Sequence, residues 1–446
     1  MDPASPARKV LIITYYWPPS GGAGVQRWLK FVKYLPETGY EAIVITVDPA
    51  YASYAQIDQT LQAEVNENVR VIRTKSFEPY NLYKKVSKSR EVPYGGFANE
   101  SKPSFIQRFS RFIRGNMFIP DPRKGWNKYV LKAVNELLKT EKIEAVITSS
   151  PPHSTQLIGL EIEKKYGIPW IADLRDPWTD IYYYDSLYHL PFAKRKDASY
   201  ELQVLENADA ILVVSPSIKR NFLAKSGKLK AEKIHIIPNG FDNEDFASPK
   251  PVSTDKFEIV YTGTMADSYN ITSFLEALET VSTHFSPGII KVRIVGIVAP
   301  GIMNQINNSR LSNLFEFKGY LNHSEAIDYM TGSSALWLVI PEIKNNEGIL
   351  TGKLFEYLAT GKPIIGIGPV KGDAAEILNR TASGKMFESH DAAGMANELK
   401  RLIEVWKNGT KISNDISKIK CYSRQSLTQE IANLIAKIIP KTPGMN

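Results

Sequence analysis

The chain has one cysteine, Cys421, among its 446 residues. A single cysteine excludes an internal disulfide and a cysteine metal cluster. Long hydrophobic runs are also missing: segments such as Val10–Thr14 and Ile364–Ile367 are far shorter than the roughly 20 apolar residues of a membrane-spanning helix. The N-terminus lacks the apolar core of a signal peptide, because its first apolar run resembles a strand. We therefore expect a soluble, cytoplasmic protein.

Metal-binding spacings are absent as well. No two aspartates stand at Asp-x-Asp spacing, and the six histidines form neither His-x-His nor His-Glu-x-x-His. We therefore predict that the protein has no metal site.

The charge is uneven. The formal net charge is +8, and the segment 84–128 alone carries 11 basic residues against 3 acidic ones. Such a field attracts an anionic partner, which leaves nucleic acid, an acidic substrate and anionic lipid as possibilities.

The length exceeds what one hydrophobic core usually supports, so two domains are expected. Lys9–Tyr15 is a short apolar run followed by glycines, a helical pattern and a second strand-like run, which is typical of a parallel α/β unit. The turn-rich segment 238–253 interrupts this alternation, and it restarts at Phe257–Thr262. The sequence therefore predicts two open α/β sheets in tandem, in domains 1–240 and 241–420, followed by a terminal segment 421–446 with an amphipathic helix, Ser426–Ile438.

The first glycine loop follows the first strand, where backbone N–H groups and a helix N-terminus bind phosphate. A dinucleotide site would use Asp48 to bind ribose. However, Arg27 stands where the third glycine of that fingerprint belongs, which argues against a dinucleotide. A plain strand-to-helix turn remains an alternative.

A second loop and helix lie in segment 347–363. Thr351 is a suitable N-cap, while Gly361 and Pro363 end the helix. At the helix start, Gly352 and Lys353 suit a diphosphate. Glu356, in the first turn, can accept hydrogen bonds from ribose hydroxyls, although acids are common in first turns for other reasons.

This segment resembles the nucleotide-sugar site of retaining glycosyltransferases with the GT-B fold, of the bacterial group 1 and family 4 type. Other segments resemble the same family in the same order: 15–22, 149–153, 173–178, 237–242 and 426–438. The resemblance implies two Rossmann-like domains that face a central cleft, with the last helix crossing back to the N-terminal domain. It implies a UDP- or GDP-linked sugar as substrate and no cofactor.

The resemblance also implies site residues. The donor would be bound by Gly21, Gly22, Gly263, Thr264, Thr351, Gly352, Lys353 and Glu356. The catalytic residues would be His153, beside the transferred sugar, and Glu347, while Arg175 and Asp176 would lie on the acceptor side. A structural imidazole at a strand end is the alternative for His153. In the family the acceptor attacks from the face that the nucleotide leaves, and the leaving phosphate takes the proton. The protein supplies positioning and charge stabilisation.

Two positions depart from the family pattern. Glu347 misses the family's glutamate spacing by one residue. The arginine and lysine that normally follow the strand-end glycine are Thr264 and Tyr269 here. Lys353 is the first candidate for the missing cation, and Arg27 and Lys344 are weaker ones.

The segment 105–114 has apolar residues on one helical face and Arg108, Arg111 and Arg114 on another. With Lys84, Lys85, Lys88 and Arg90 nearby, this pattern predicts a helix on an anionic membrane surface, at the inner face of the cell membrane. The alternative is an ordinary surface helix with its apolar side inward. Nucleic acid is not expected, because the aromatic residues do not form a stacking platform.

We therefore expect a retaining, metal-independent glycosyltransferase with a glycan or lipid-linked acceptor, in polysaccharide or glycoconjugate synthesis. Two alternatives stay open: an inactive nucleotide-sugar-binding protein, and an NAD-dependent sugar-modifying enzyme.

Overall fold

A computed structural model describes residues 8–54, 56–78, 105–252, 254–410 and 412–440. The predicted membrane residues Lys84, Lys85, Lys88 and Arg90 lie outside these ranges. The described residues form two compact units. The first runs to Pro238 and includes the chain from Arg424 onward, and the second is Asn239–Ser423. The sequence placed the corresponding boundaries at 240 and 420.

The first unit contains a seven-stranded parallel sheet with the order β3-β2-β1-β4-β5-β6-β7. Its strands are β1 (Arg8–Thr14), β2 (Tyr40–Val47), β3 (Arg70–Thr74), β4 (Ala145–Ser150), β5 (Trp170–Leu174), β6 (Ala210–Val213) and β7 (Ile234–Ile236). Its helices are α1 (Ala23–Tyr34), α2 (Thr60–Ala63), α3 (Phe105–Met117), α4 (Asn127–Leu137), α5 (Ser154–Tyr166), α6 (Pro191–Asn207), α7 (Pro216–Leu223) and the final helix, α15 (Arg424–Ile438).

The first sheet is covered on both faces, which explains the unbroken apolar runs of its central strands. Successive side chains of β1 point to opposite faces. Val10 and Ile12 pack with α1 and α15, whereas Leu11 and Ile13 pack with α4 and α5. The predicted return of the last helix to the N-terminal domain is therefore confirmed.

The second unit contains a six-stranded parallel sheet with the order β10-β9-β8-β11-β12-β13. Its strands are β8 (Phe257–Thr262), β9 (Ile290–Val295), β10 (Phe315–Gly319), β11 (Ala335–Val339), β12 (Ile364–Ile367) and β13 (Gly384–Phe387). Its helices are α8 (Thr272–Ser282), α9 (Pro300–Asn307), α10 (His323–Gly332), α11 (Gly352–Thr360), α12 (Asp373–Thr381), α13 (Ala392–Lys407) and α14 (Ile416–Lys420).

Helices cover both faces of the second sheet too. Ile259 and Tyr261 of β8 pack with α8 and α13, while Val260 packs with α10 and α11. The described residues therefore form two Rossmann-like α/β units, as predicted. Among the described helices, none has the length and apolar character needed to cross a bilayer.

Candidate functional site

The first turn of α11 lies against the carboxyl end of β8. Gly263 follows β8 with φ 93°, and a Cβ atom built on it would lie 3.3 Å from Lys353 Nζ. Lys353 Nζ donates a 2.6 Å hydrogen bond to the Tyr261 hydroxyl and lies 4.0 Å from the centre of that ring. A side chain at position 263 would crowd the ammonium group. Lys353, the predicted cation, and Gly263, the strand-end glycine, therefore lie next to each other in the structure.

The surroundings of Lys353 are poor in solvent. Burial lowers the pKa of its ammonium group to about 7, against the smaller opposing effect of the Glu356 carboxylate. Desolvation disfavours the charged form of a lysine, and a nearby anion restores it. The site is therefore suited to an anionic ligand that supplies the missing counter-charge.

The N-terminus of α11 is built as the sequence predicted, with two differences. Glu356 is the fifth residue of the helix, so it lies in the second turn and not in the first as predicted. Thr351 occupies the N-cap position, but its hydroxyl does not cap the helix. Thr351 Oγ1 is buried and has no hydrogen-bond partner among the described residues. A Cβ atom on Gly352 would meet open space. Since helix N-termini favour anions, these groups fit a phosphate better than they fit a closed cap.

Tyr357 fastens α11 to β8. This residue is buried, and its hydroxyl accepts hydrogen bonds from the Thr262 amide at 2.8 Å and from Thr262 Oγ1 at 3.3 Å. Tyr357 lies one turn after Lys353, on the same face of the helix. This contact fixes the position of the N-terminus of α11 along β8. No sequence pattern predicted it.

Glu356 is held by a residue that the sequence analysis did not name. Glu356 Oε1 lies 3.0 Å from Nε2 of His323, the first residue of α10. Both side chains are partly exposed. The two residues are 33 positions apart, so no local spacing pattern connects them.

Glu347, predicted as catalytic, and Thr264, predicted as donor-binding, differ from the other predicted site residues of this unit. Glu347 is exposed in a short 3-10 turn, Asn346–Gly348, and its side chain makes no hydrogen bond or ion pair within the described ranges. Thr264 contributes its carbonyl oxygen, which accepts a 2.7 Å hydrogen bond from Tyr261. Thr264 thus orients the tyrosine that binds Lys353.

In the first unit, the predicted glycine loop is only partly available. The Gly21 amide donates a 2.9 Å hydrogen bond to the Gln56 carbonyl, so it does not face a phosphate as predicted. Gly22 occupies the N-cap position of α1 with φ 95°, a conformation that favours glycine. Gly22 therefore remains the candidate for a phosphate-facing amide in this unit.

Arg27 is not a candidate for the diphosphate cation. It is buried, and its guanidinium binds the Asp173 carboxylate through NH2 at 2.9 Å and Nε at 3.2 Å. Trp28 and Ser149 also donate to Asp173, at 2.8 and 2.7 Å. The expectation for Arg27 was therefore wrong, because its charge is already neutralised inside the unit. Asp48, the acid considered for dinucleotide binding, accepts a hydrogen bond from the Ala50 amide in a local turn.

His153 follows β4 and occupies the N-cap position of α5. Its ring stacks on Trp178, with centroids 4.7 Å apart and planes at 11°. Its Nδ1 is buried and has no hydrogen-bond partner among the described residues. Burial, and secondarily the Arg175 charge, lower the pKa of the imidazole to about 3, so it is neutral at physiological pH.

Asp121 takes over the capping of α5. Its carboxylate accepts hydrogen bonds from the Ser154 amide at 2.7 Å and from Ser154 Oγ at 2.9 Å. Since Ser154 directly follows His153, this contact fixes the backbone that carries the imidazole.

Arg175 and Asp176 follow β5. The Arg175 guanidinium donates hydrogen bonds to the carbonyl oxygens of Ser150 and Gly24, both at 2.9 Å. It therefore joins the end of β4, the start of α1 and the end of β5. Its role is therefore to hold the loops together. Burial raises the pKa of the Asp176 carboxyl, and that side chain makes no hydrogen bond or ion pair with any residue described. Asp176 is the better candidate for contact with an acceptor.

Helix α3 exposes most of its apolar face, as a membrane-surface helix requires, but Arg111 is buried and the prediction that it contacts lipid is wrong. Among its three arginines, Arg108 is exposed, Arg114 is half-buried and Arg111 is only 6% exposed. Asn116 attaches this end of the helix to the unit: its side chain donates to the Tyr188 carbonyl at 3.1 Å and accepts from the Leu190 amide at 2.6 Å. Most of the apolar residues face solvent, although Ile113 is half-buried: Phe105 (84% exposed), Ile106 (71%), Phe109 (57%), Phe112 (37%) and Met117 (73%). The alternative of an apolar side turned inward is wrong.

Within the described ranges, no group of three or more His, Cys, Asp or Glu residues has the geometry to hold a metal ion. Metal independence stays a prediction.

The comparisons with known proteins support the same fold. The sequence matches the family described as Glycosyltransferase Family 4 over residues 93–245 and the one described as Glycosyl transferases group 1 over residues 256–405. The comparison with curated proteins found no matching sequence.

Solved structures are similar over nearly the whole chain. HepE from Anabaena, in complex with UDP, aligns with a TM-score of 0.62 at 14% identity, covering 96% of this chain and 100% of that one. Sucrose-phosphate synthase from Thermosynechococcus elongatus aligns with a TM-score of 0.62 at 14% identity, covering 96% of this chain and 98% of that one. With both family matches in chain order, the chain belongs to the glycosyltransferases with the GT-B fold, of the family 4 and group 1 type.

Proposed function

We propose that the protein is a retaining glycosyltransferase that uses a nucleotide-diphosphate sugar, with UDP as the first nucleotide to test. The observation that carries the proposal is the position of Lys353 Nζ against Gly263 at the start of α11. The UDP complex of the similar HepE supports the choice of nucleotide. GDP is the second nucleotide to test.

In the second unit, the proposed roles follow from the geometry. The Gly352 and Lys353 amides and the Lys353 ammonium bind the diphosphate, where helix N-terminus and cation act together. Glu356, three residues further in the same helix, accepts hydrogen bonds from the ribose hydroxyls. Lys353 therefore takes the place of the arginine and lysine that Thr264 and Tyr269 replace.

In the first unit, His153 and Asp176 are proposed to contact the transferred sugar and the acceptor. A neutral imidazole donates one hydrogen bond and accepts another, so His153 positions hydroxyl groups without taking a proton. The acceptor hydroxyl attacks the anomeric carbon, the bond to the diphosphate breaks, and the leaving phosphate takes the hydroxyl proton. The protein then contributes orientation and charge stabilisation, without a cofactor or a metal ion.

The test uses the purified full chain with a panel of UDP- and GDP-linked sugars. Release of the nucleoside diphosphate is measured first, and the anomeric configuration of the product is then determined by NMR. We expect release with at least one donor, its loss in Lys353→Met and Glu356→Ala, and an unchanged rate in the control His284→Ala, an exposed histidine elsewhere in the second unit.

Two results would contradict the proposal. Titration that shows nucleoside-diphosphate binding without hydrolysis or transfer would indicate a binding protein. Titration that shows NAD binding without nucleoside-diphosphate binding would indicate an NAD-dependent enzyme.

We also propose that α3 lies on an anionic membrane surface, at the inner face of the cell membrane, and that the acceptor is lipid-linked. Phe105, Ile106 and Phe109 expose apolar rings and chains on one helix, and Arg108 is exposed among them. Apolar side chains beside a cation are the pattern of an interfacial helix. The high positive charge of segment 84–128 adds attraction to anionic lipid.

Co-sedimentation with vesicles of phosphatidylglycerol and phosphatidylcholine tests this second proposal. The variant Phe105→Ser/Ile106→Ser/Phe109→Ser should remain in the supernatant, while its donor hydrolysis stays at the wild-type rate. Ile416→Ser, at a position 76% exposed in the second unit, is the matched control and should sediment like the wild type. A wild-type protein that never sediments with these vesicles would contradict the proposal.

A further inference from the structure

We infer that His323 is a positioning residue for the nucleotide, because its Nε2 holds the Glu356 carboxylate in the orientation that the ribose requires. The inference rests on the proposed function of Glu356. Through this contact, helix α10 takes part in donor binding together with α11.

The contact itself is specific. Glu356 Oε1 and His323 Nε2 are 3.0 Å apart. An ionised carboxylate only accepts hydrogen bonds, so Nε2 carries the hydrogen in this pair. A carboxylate oxygen accepts more than one hydrogen bond, and therefore the contact with His323 is compatible with additional bonds to hydroxyl groups.

Positioning matters here because glutamate is a flexible side chain. If the Glu356 side chain becomes ordered only when the ligand binds, the lost conformational entropy reduces the affinity. A contact that is present before the ligand binds removes part of this cost. His323 therefore strengthens nucleotide binding through Glu356 without touching the nucleotide.

The structure argues against a purely structural role for His323. Helix α10 has its own capping box: Asn322 Oδ1 accepts from the Glu325 amide at 2.9 Å, and Glu325 Oε2 accepts from the Asn322 amide at 3.1 Å. The His323 side chain is 37% exposed, so it contributes little to the core. Helices α10 and α11 already pack through a shared set of buried residues: Ile327, Met330, Leu354, Phe355 and Leu358.

Four variants test the inference: His323→Ala, His323→Gln, Glu356→Ala and the double variant His323→Ala/Glu356→Ala. The Kd for UDP is measured by titration calorimetry, together with the donor KM, kcat and Tm. His284→Ala is the control histidine, exposed in the same unit. Glutamine is the rescue variant because its amide Nε2 can donate from nearly the position of the imidazole Nε2.

We expect His323→Ala to raise the Kd for UDP and the donor KM about fivefold, with kcat within about twofold of wild type. His323→Gln should recover most of the affinity. The double variant should bind UDP as Glu356→Ala does, because a residue that acts through Glu356 has no effect once Glu356 is gone.

The inference is overturned if His323→Ala binds UDP like the wild type while Glu356→Ala binds it more weakly. It is also overturned if His323→Ala lowers Tm and the glutamine variant restores Tm without restoring affinity. If Glu356→Ala itself binds UDP normally, the failure lies in the proposed function of this site.

Discussion

Binding of the donor should draw a proton from solution at the Lys353 ammonium group. Its pKa in the free protein is lowered to about 7 by burial. At pH 8 roughly nine-tenths of the Lys353 side chains are therefore neutral, and at pH 6 roughly one-tenth are. A diphosphate bound beside Nζ favours the charged form and raises this pKa in the complex.

The magnitude follows from linkage. If the pKa in the complex lies well above 8, binding takes up close to 0.9 proton at pH 8 and about 0.1 proton at pH 6. The affinity for the donor falls as pH rises, because a growing share of the free protein has lost the Lys353 proton. The fall is roughly fivefold between pH 7 and pH 8. A UDP-sugar is the suitable ligand, because its diphosphate has no ionisation of its own near neutral pH.

The assay is titration calorimetry at pH 6 and pH 8, each in two buffers with different ionisation enthalpies. The difference in observed enthalpy between buffers gives the number of protons taken up. Lys353→Met should remove the uptake at pH 8 and flatten the pH dependence. The reasoning is refuted if the wild type takes up less than about 0.2 proton at pH 8 or if Lys353→Met leaves the uptake unchanged.

Four further predictions concern His153, Glu356 and the buried ion pair of Arg27 and Asp173. His153→Ala should lower kcat more than it raises the Kd for UDP, and equal losses would argue for a structural role. The pKa of His153 is lowered to about 3, so its imidazole is neutral above that value. His153→Asn should therefore leave the shape of the kcat/KM profile unchanged between pH 5 and pH 8. A wild-type ionisation in this range that disappears in the variant would contradict the assignment. Glu356→Ala should weaken UDP binding by about 1–3 kcal/mol in calorimetry, since it removes hydrogen bonds to a charged group, and unchanged affinity would exclude a ribose contact. Asp173→Asn should lower the free energy of unfolding by about 3–5 kcal/mol, because it leaves the Arg27 guanidinium buried without its counter-ion; denaturant titration measures this, and a loss below about 1 kcal/mol would count against the network.

The fold was largely predictable because its central elements carry strong local patterns. The observed bounds of β8 (Phe257–Thr262) equal the predicted ones, and α11 (Gly352–Thr360) begins after Thr351 and ends before Gly361, as predicted. β8 is fully buried, α11 has a buried apolar face, and both end at turn residues. Three strands lack such a pattern, β3, β10 and β13, and all three lie at sheet edges. Edge strands are partly exposed, so they lack the continuous apolar run by which a central parallel strand is recognised.

The site was predictable only where its residues lie within one turn of a helix. Lys353 and Glu356 are three positions apart in one helix, so they are neighbours on its surface. Thr351 before them and Gly361 after them indicate where that helix begins and ends. The contacts of Glu356 with His323 and of Tyr357 with Thr262 join residues far apart in the chain, and no local pattern signals them.

The errors have a similar cause. The local sequence predicts the Gly21 amide as a phosphate ligand and Arg27 as a weaker candidate for the cation, but the Gln56 carbonyl and the Asp173 carboxylate already bind these groups. Composition and spacing do not show which partner a donor finds inside the fold. Helix α3 is a partial case, because its apolar face is exposed as a membrane-surface helix requires, whereas Arg111 is buried. Its amphipathic pattern was correct, but no local pattern signals that Asn116 binds the Tyr188 carbonyl and the Leu190 amide and so attaches this end of the helix to the unit.

The most direct test of the account is a crystal structure of the protein with bound UDP. We expect the diphosphate within hydrogen-bond distance of the Gly352 and Lys353 amides and of Lys353 Nζ, with both ribose hydroxyls on the Glu356 carboxylate. UDP bound elsewhere on the second unit, with Lys353 still hydrogen-bonded only to Tyr261, would contradict the account.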